Sequence, residues 1–198
     1  MSVRVAKSAG FCFGVSRAVE LVEQAALAGK KVATLGPIIH NRHVVDKFEK
    51  MGIRVINAPE EALPGETVII RSHGVSRAVY ERLEAQNVEV IDATCPFVKR
   101  IHTIVSRAEE EGRLPIIIGT PTHPEVEGIA GWCSDCRVFA GPEDLKKWAE
   151  SDDALKNPRH PVSKNDGKYI LPHIYVSEDI ETIRLPRSMS GTRRRVSK

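Results

Sequence analysis

Apolar residues along this chain follow two alternating rhythms. Short continuous runs occur at 3–6 (VRVA), 31–35 (KVATL), 53–56 (IRVI), 67–71 (TVIIR), 88–92 (VEVID) and 115–119 (PIIIG). Runs of this length, rich in Val and Ile and bounded by turn or charged residues, read as buried strands. Between them the apolar positions fall at helical spacing. GVSRAVELVEQAALAG at 14–29 sets Val15, Val19, Val22 and Ala26 on one stripe and meets a stop at Gly29. Further helical patterns cover 42–52, ending at Gly52, then about 76–86 and about 97–111. A short strand, RVFA, and a helix opening on Pro142 follow.

Strand–loop–helix alternation predicts an α/β fold, with parallel sheet, helices on its faces and right-handed crossovers. The linker around Pro96 divides it into two lobes, 1–96 and 97–163. The stretch 164–198 has no clear period, holds isolated prolines at Pro172 and Pro186, and ends polar and basic. It reads as an atypical tail, partly disordered.

Composition narrows the function classes. The chain has 198 residues, 41% hydrophobic and 28% charged, which is ordinary for a soluble globular protein. Aromatic residues make up only 5%, which argues against a base-stacking nucleic-acid surface. The net charge of +3 includes the run Arg193, Arg194 and Arg195 near the end, so the body is nearly neutral. No apolar run has the length of a membrane span, and SVRVAKSAG is too short in apolar core for a signal peptide. A cytoplasmic location is expected, with Cys12, Cys95, Cys133 and Cys136 as thiols.

The candidate chemistry falls just after the strands. Cys12, His40, His73 and Cys95 each follow one, and His123 with Glu125 follows PIIIG. Ligands of open α/β sheets bind outside the carboxyl ends of the strands, so these residues are expected on one edge. Helix N-termini starting after such loops suit an anion such as a phosphate or diphosphate. Gly36, Gly74 and Gly119 would let backbone approach it closely. Each histidine or cysteine taken singly reads as an ordinary turn or core residue, and the repeated placement is what points to a site. His43 and His102 lie in helical patterns and read as surface or partly buried positions. CSDC at 133–136 is half of a zinc or redox motif; with no second CxxC it reads as a surface turn.

The motifs AGFCFGVSRAVE, LGPIIHN, IIRSHGV, DATCPFV and GTPTHPEVEG, in this order, resemble the 4-hydroxy-3-methylbut-2-enyl diphosphate reductase family of the non-mevalonate isoprenoid pathway. The likeness runs from the first strand to about 161–163. It implies a trefoil of three α/β lobes around a cavity, each lobe offering one cysteine to a [4Fe–4S] cluster. Cys12 and Cys95 match two of those ligands, His40, His73 and His123 resemble the histidines of the diphosphate site, and Glu125 matches the acid that protonates the departing hydroxyl. Two electrons and two protons remove the hydroxyl as water, with ferredoxin or flavodoxin as donor. The family's third lobe carries the third cysteine, a threonine and a serine–asparagine pair. None of them is found from Lys164 onward, which suggests a shifted reading frame or a truncated gene. Cys133 and Cys136 are not at a ligand position of the family. Two other readings stay open: a non-catalytic diphosphate-binding remnant without a cluster, and a zinc-binding interaction protein using Cys133 and Cys136.

Overall fold

Strands built from Val and Ile bury both faces, and their backbone N–H and C=O groups can then bond only to neighbouring strands. The computed structural model describes residues 3, 4, 6, 9–151 and 174–176, in two units, Met1–Arg100 and Ile101–Lys198. The first unit contains α1 (Phe13–Leu27), β1 (Lys31–Leu35), α2 (Arg42–Lys50), β2 (Arg54–Ile56), a 3-10 turn at Pro59–Glu61, β3 (Glu66–Ile70), α3 (Arg77–Ala85) and β4 (Glu89–Asp92). Its sheet is wholly parallel, in the order β2-β1-β3-β4. The division between units falls within α4 (Pro96–Glu110).

The sheet order fixes where the helices go. The chain steps from β1 outward to β2, then crosses back over β1 to start β3, and steps outward again to β4. Right-handed crossovers in opposite directions put α2 and α3 on opposite faces. Side chains alternate to match. Val32 and Ile69 join Ala18, Val22, Ala25 and Phe48 on the face covered by α1 and α2. Ala33, Leu35, Val68 and Ile70 join Leu83 on the α3 face. Glu66, only 6% exposed, is held by Arg54 through two bonds of 2.8 and 2.9 Å.

The stripe of α1 lies one step away from the expected one. Its buried residues are Gly14, Ala18, Val22 and Ala25, whereas Val15, Val19 and Ala26 flank them half-buried. Small residues occupy the centre because they let the helix axis come close to the sheet, and the valines fill the margins. The expected first strand at 3–6 is not formed by residues 3, 4 and 6, and Val3 is 87% exposed. A strand without a ladder partner has no hydrogen bonds to hold it, whatever its β propensity.

The second unit holds β5 (Ile116–Ile118), α5 (Pro124–Ala130), β6 (Arg137–Phe139), α6 (Pro142–Ala149) and β7 (Ile174–Val176). The strands form a second parallel sheet in the order β6-β5-β7. Strand β7 sits inside the segment expected to lack elements, where a β-branched and aromatic run, IYV, is the local signal. The rest of 164–198, including Pro172, Pro186 and the arginine run, lies outside the described residues, as do His160 and His173. Among the described residues no helix is long and apolar enough to cross a membrane.

Candidate functional site

The strand order reverses between β1 and β3, and the carboxyl edge at such a switch point is the usual ligand position in open sheets. His40 comes from the loop after β1 and His73 from the loop after β3, and their ring centroids lie 4.4 Å apart, tilted by 43°. The two loops are tied together. The Ile38 carbonyl accepts from the Ser72 N–H at 3.2 Å and from the Ser72 hydroxyl at 3.1 Å. Gly36 has a φ of +73°, and a Cβ there would collide with Arg71 Nη1 and lie 3.2 Å from Arg71 Cδ. The positive φ of the turn favours glycine at this position, and the guanidinium of Arg71 lies over it. Asn41, next to His40, caps α2 by accepting from the Val44 N–H at 3.3 Å. Arg71 was not expected here, because it read as the last residue of a strand; a lone cation ending an apolar run was the available signal.

The same edge carries Cys95. The Ser72 carbonyl accepts from the Cys95 N–H at 2.9 Å, which joins the cysteine's loop to that of His73. Upstream, Asp92 ends β4. Its carboxylate accepts from the Thr94 N–H at 2.9 Å and from the Tyr80 hydroxyl at 2.9 Å, and pairs with Lys99 at 2.5 Å. Burial pushes the Asp92 carboxyl up, but the bonds from Lys99, Thr94 and Tyr80 outweigh it and hold it below its ordinary value. Burial, with the Asp92 charge beside it, pushes the Tyr80 hydroxyl up, so it stays a donor. Arg17 of α1 completes the clamp, donating to the carbonyls of Asp92 at 3.2 Å and Thr94 at 3.3 Å.

Cys12 meets this arrangement from α1. It is the exposed N-cap residue of that helix, with extended backbone and no capping bond from its side chain. Two residues on, Gly14 lies against Cys95: a Cβ on Gly14 would stand 2.5 Å from the Cys95 Sγ. The glycine thus makes the cradle in which the Cys95 thiol sits, one helical step from Cys12. Cys95 in turn directly precedes α4, so each cysteine stands at the N-terminus of a helix. Two thiols beside helix N–H groups suit an anionic iron–sulfur cluster as a donor set. They do not complete one, since among the described residues no group of three or more His, Cys, Asp or Glu could hold a metal ion. Phe11, Phe13 and Phe97, neighbours of these cysteines in sequence, are 48%, 65% and 68% exposed.

His123 and Glu125 belong to the second unit. His123 is the N-cap of α5, and its Nδ1 accepts from the Glu125 N–H at 3.2 Å. That bond leaves Nε2 to carry the ring proton. Glu125 stands in the first turn of α5, half-buried, with Glu127 in the same turn. His102, expected at or near the surface, is instead 3% exposed and stacks on Trp132 with centroids 4.9 Å apart. Cys133 and Cys136 are half-buried and pack on the core of this unit, where an exposed turn was expected.

These features define a parallel α/β protein with two histidines at the switch point of its sheet and two cysteines at helix N-termini. The LytB protein family matches residues 3–168, and the chain belongs to that family. A 4-hydroxy-3-methylbut-2-enyl diphosphate reductase of Caldanaerobacter subterraneus is 47% identical over 139 residues, covering 68% of this chain and 48% of that protein. The enzyme of the same name from Clostridioides difficile is 41% identical over 140 residues, covering 70% and 50%. A solved structure of (E)-4-hydroxy-3-methyl-but-2-enyl diphosphate reductase, described as the terminal enzyme of the non-mevalonate pathway, aligns with a TM-score of 0.61 at 40% identity. That alignment covers 73% of this chain and 54% of the solved one. The Plasmodium falciparum reductase structure aligns with a TM-score of 0.68 at 31% identity, covering 71% and 45%. The chain thus spans about half the length of the curated relatives it matches.

Proposed function

We propose that this chain provides thiolates, histidines and a carboxylate to a reductase that converts 4-hydroxy-3-methylbut-2-enyl diphosphate to isopentenyl and dimethylallyl diphosphates. The reading is carried by the contact between Gly14 and the Cys95 thiol, which brings that thiol beside the helix start capped by Cys12. Cys12 and Cys95 would hold a [4Fe–4S] cluster, which when bound supplies electrons and a Lewis-acidic iron. Cys133 and Cys136 are not at a ligand position of the family, so a third thiolate would come from outside this sequence. Ferredoxin or flavodoxin would deliver the electrons.

The chain's own groups bind, orient and protonate. Ring N–H groups of His40, His73 and His123 would donate to diphosphate oxygens, with Arg71 adding charge beside Gly36. Glu125 would hand a proton to the departing hydroxyl, a role that requires it to be protonated at the moment of transfer. The dipole of α5 favours its carboxylate, so a substrate diphosphate nearby would have to favour the acid.

The test is turnover by the full chain, reconstituted anaerobically with iron and sulfide and supplied with a reduced viologen. Substrate-dependent dye oxidation is expected. Glu125→Gln should keep its iron and its affinity for inorganic diphosphate but lose turnover by roughly 100-fold or more. Unchanged turnover in that variant rejects the role of Glu125. Diphosphate binding without iron uptake or turnover favours the non-catalytic binding protein.

A further inference from the structure

Cys133 and Cys136 lie in the turn between α5 and β6, and the turn is built around their sulfurs. Both sulfurs approach one acceptor, the Ala130 carbonyl at the end of α5, Cys133 at 3.3 Å and Cys136 at 3.8 Å. The two residues between them are fixed from outside. The Glu109 carboxylate accepts from the N–H of Ser134 at 2.8 Å, the N–H of Asp135 at 3.1 Å and the Ser134 hydroxyl. On the other side, the Ser106 hydroxyl donates to the Trp132 carbonyl at 2.9 Å. Two residues of α4 therefore pin the turn that carries both thiols.

We propose that Cys133 and Cys136 form a thiol–disulfide exchange site that reacts with low-molecular-weight disulfides. Three observations support it. Both sulfurs converge on the one Ala130 carbonyl within a pinned turn, so they are gathered on the same side of it before any oxidation. Both are half-buried, neither sealed in the core nor fully exposed, which admits a small reagent. Their protons are unequally held. The neighbouring Cys136 sulfur pushes the Cys133 thiol up, and burial with the charges of Glu109 and Asp135 adds to it. The neighbouring Cys133 thiol holds Cys136 below its ordinary value, with help from Arg137 and against burial, Asp135 and Glu109. A metal fits less well, because among the described residues no third His, Cys, Asp or Glu joins the pair in a metal-holding group. The proposal is independent of any role for Cys12 and Cys95.

The chemistry balances with the disulfide as oxidant. The Cys136 thiolate attacks one sulfur of the reagent; its S–S bond breaks and the first thiolate leaves. The Cys133 sulfur gives up its proton and attacks the Cys136 sulfur in the mixed disulfide, expelling the second thiolate. The protons of the two protein thiols end on the two released thiols. The protein pair is oxidised by two electrons and the reagent disulfide is reduced by two.

The experiment holds the full chain in buffers of defined reduced-to-oxidised glutathione ratio, blocks free thiols by alkylation, and maps the peptides by mass spectrometry. An internal Cys133–Cys136 disulfide is expected in the wild type. Cys133→Ser should accumulate a glutathione adduct on Cys136 and Cys136→Ser one on Cys133, each stalled at the mixed disulfide for want of the second sulfur. If the variants fold poorly by circular dichroism, the wild-type map decides alone. Alkylation of both thiols at every ratio overturns the proposal. So does a bridge from either residue to Cys12 or Cys95, or stoichiometric zinc that protects both thiols.

Discussion

Replacing Gly14 by Ala tests the geometry on which the site depends. Inside a helix this change ordinarily stabilises by about 0.5–1 kcal/mol, because glycine loses more backbone freedom on folding. Here the new Cβ would stand 2.5 Å from the Cys95 Sγ, 3.0 Å from its Cβ and 3.8 Å from its Cα. Unstrained contacts of this kind lie near about 3.5–4 Å, so the overlap is about 1 Å. Cys95 has little freedom to retreat. Its N–H is bonded to Ser72, its carbonyl accepts from the Lys99 N–H at 3.0 Å, and Arg17 holds the preceding carbonyl. Relief requires a rotated Cys95 side chain or a lifted α1. An overlap of about 1 Å against a held neighbour falls in the upper half, about 2–3 kcal/mol, of the usual overpacking cost, and less a helical gain of about 1 kcal/mol this leaves a net loss of about 1–2 kcal/mol. Thermal melting of the reduced full chain, followed by circular dichroism, should fall by about 2–8 °C. Adding Cys95→Ala should recover much of that loss. A Gly14→Ala chain that melts at or above the wild-type temperature refutes the packing of Cys95 against α1.

Two further outcomes follow from the same edge. Asp92→Asn should cost about 1–3 kcal/mol at neutral pH, the worth of charged hydrogen bonds. Because the folded carboxyl titrates below its ordinary value, its contribution is whole above about pH 4 and fades as pH falls through the folded value. The gap between wild type and variant in denaturant melts should therefore narrow below pH 4, and a constant gap down to pH 2 contradicts the Lys99, Thr94 and Tyr80 clamp. His40→Ala and His73→Ala should each weaken inorganic diphosphate binding by roughly 10-fold or more in calorimetry, as expected for a lost bond to an anion. Unchanged affinity removes the switch point as the anion site.

Elements set by local pattern were legible in the sequence, and contacts between distant residues were not. Lys31–Leu35 and Glu66–Ile70 were readable because fully buried parallel strands leave continuous apolar runs. The phase of α1 was misread because hydropathy ranks Val above Gly and Ala, whereas close packing on the sheet selects Gly14, Ala18 and Ala25. The placement of His40, His73 and Cys95 after strands came from alternation alone, whereas the strand expected before Cys12 is not formed by residues 3, 4 and 6. The meeting of His40 with His73 depends on the order β2-β1-β3-β4, and strand order has no local signature. The Arg17 and Asp92 clamp likewise joins α1 to the end of β4, and each residue alone reads as a surface charge. The half-burial of Cys133 and Cys136 in the CSDC turn had no local signature, because it comes from packing on the core built by Ile101, Val105 and Ile129.

The most direct measurement counts iron and acid-labile sulfide after anaerobic reconstitution of the full chain and its cysteine variants. The account predicts about four of each per wild-type chain, loss of both in Cys12→Ala and in Cys95→Ala, and retention of most of the wild-type amount when Cys133 and Cys136 are replaced together. Iron uptake that survives loss of Cys12 or Cys95, or a wild type that takes up none, contradicts it.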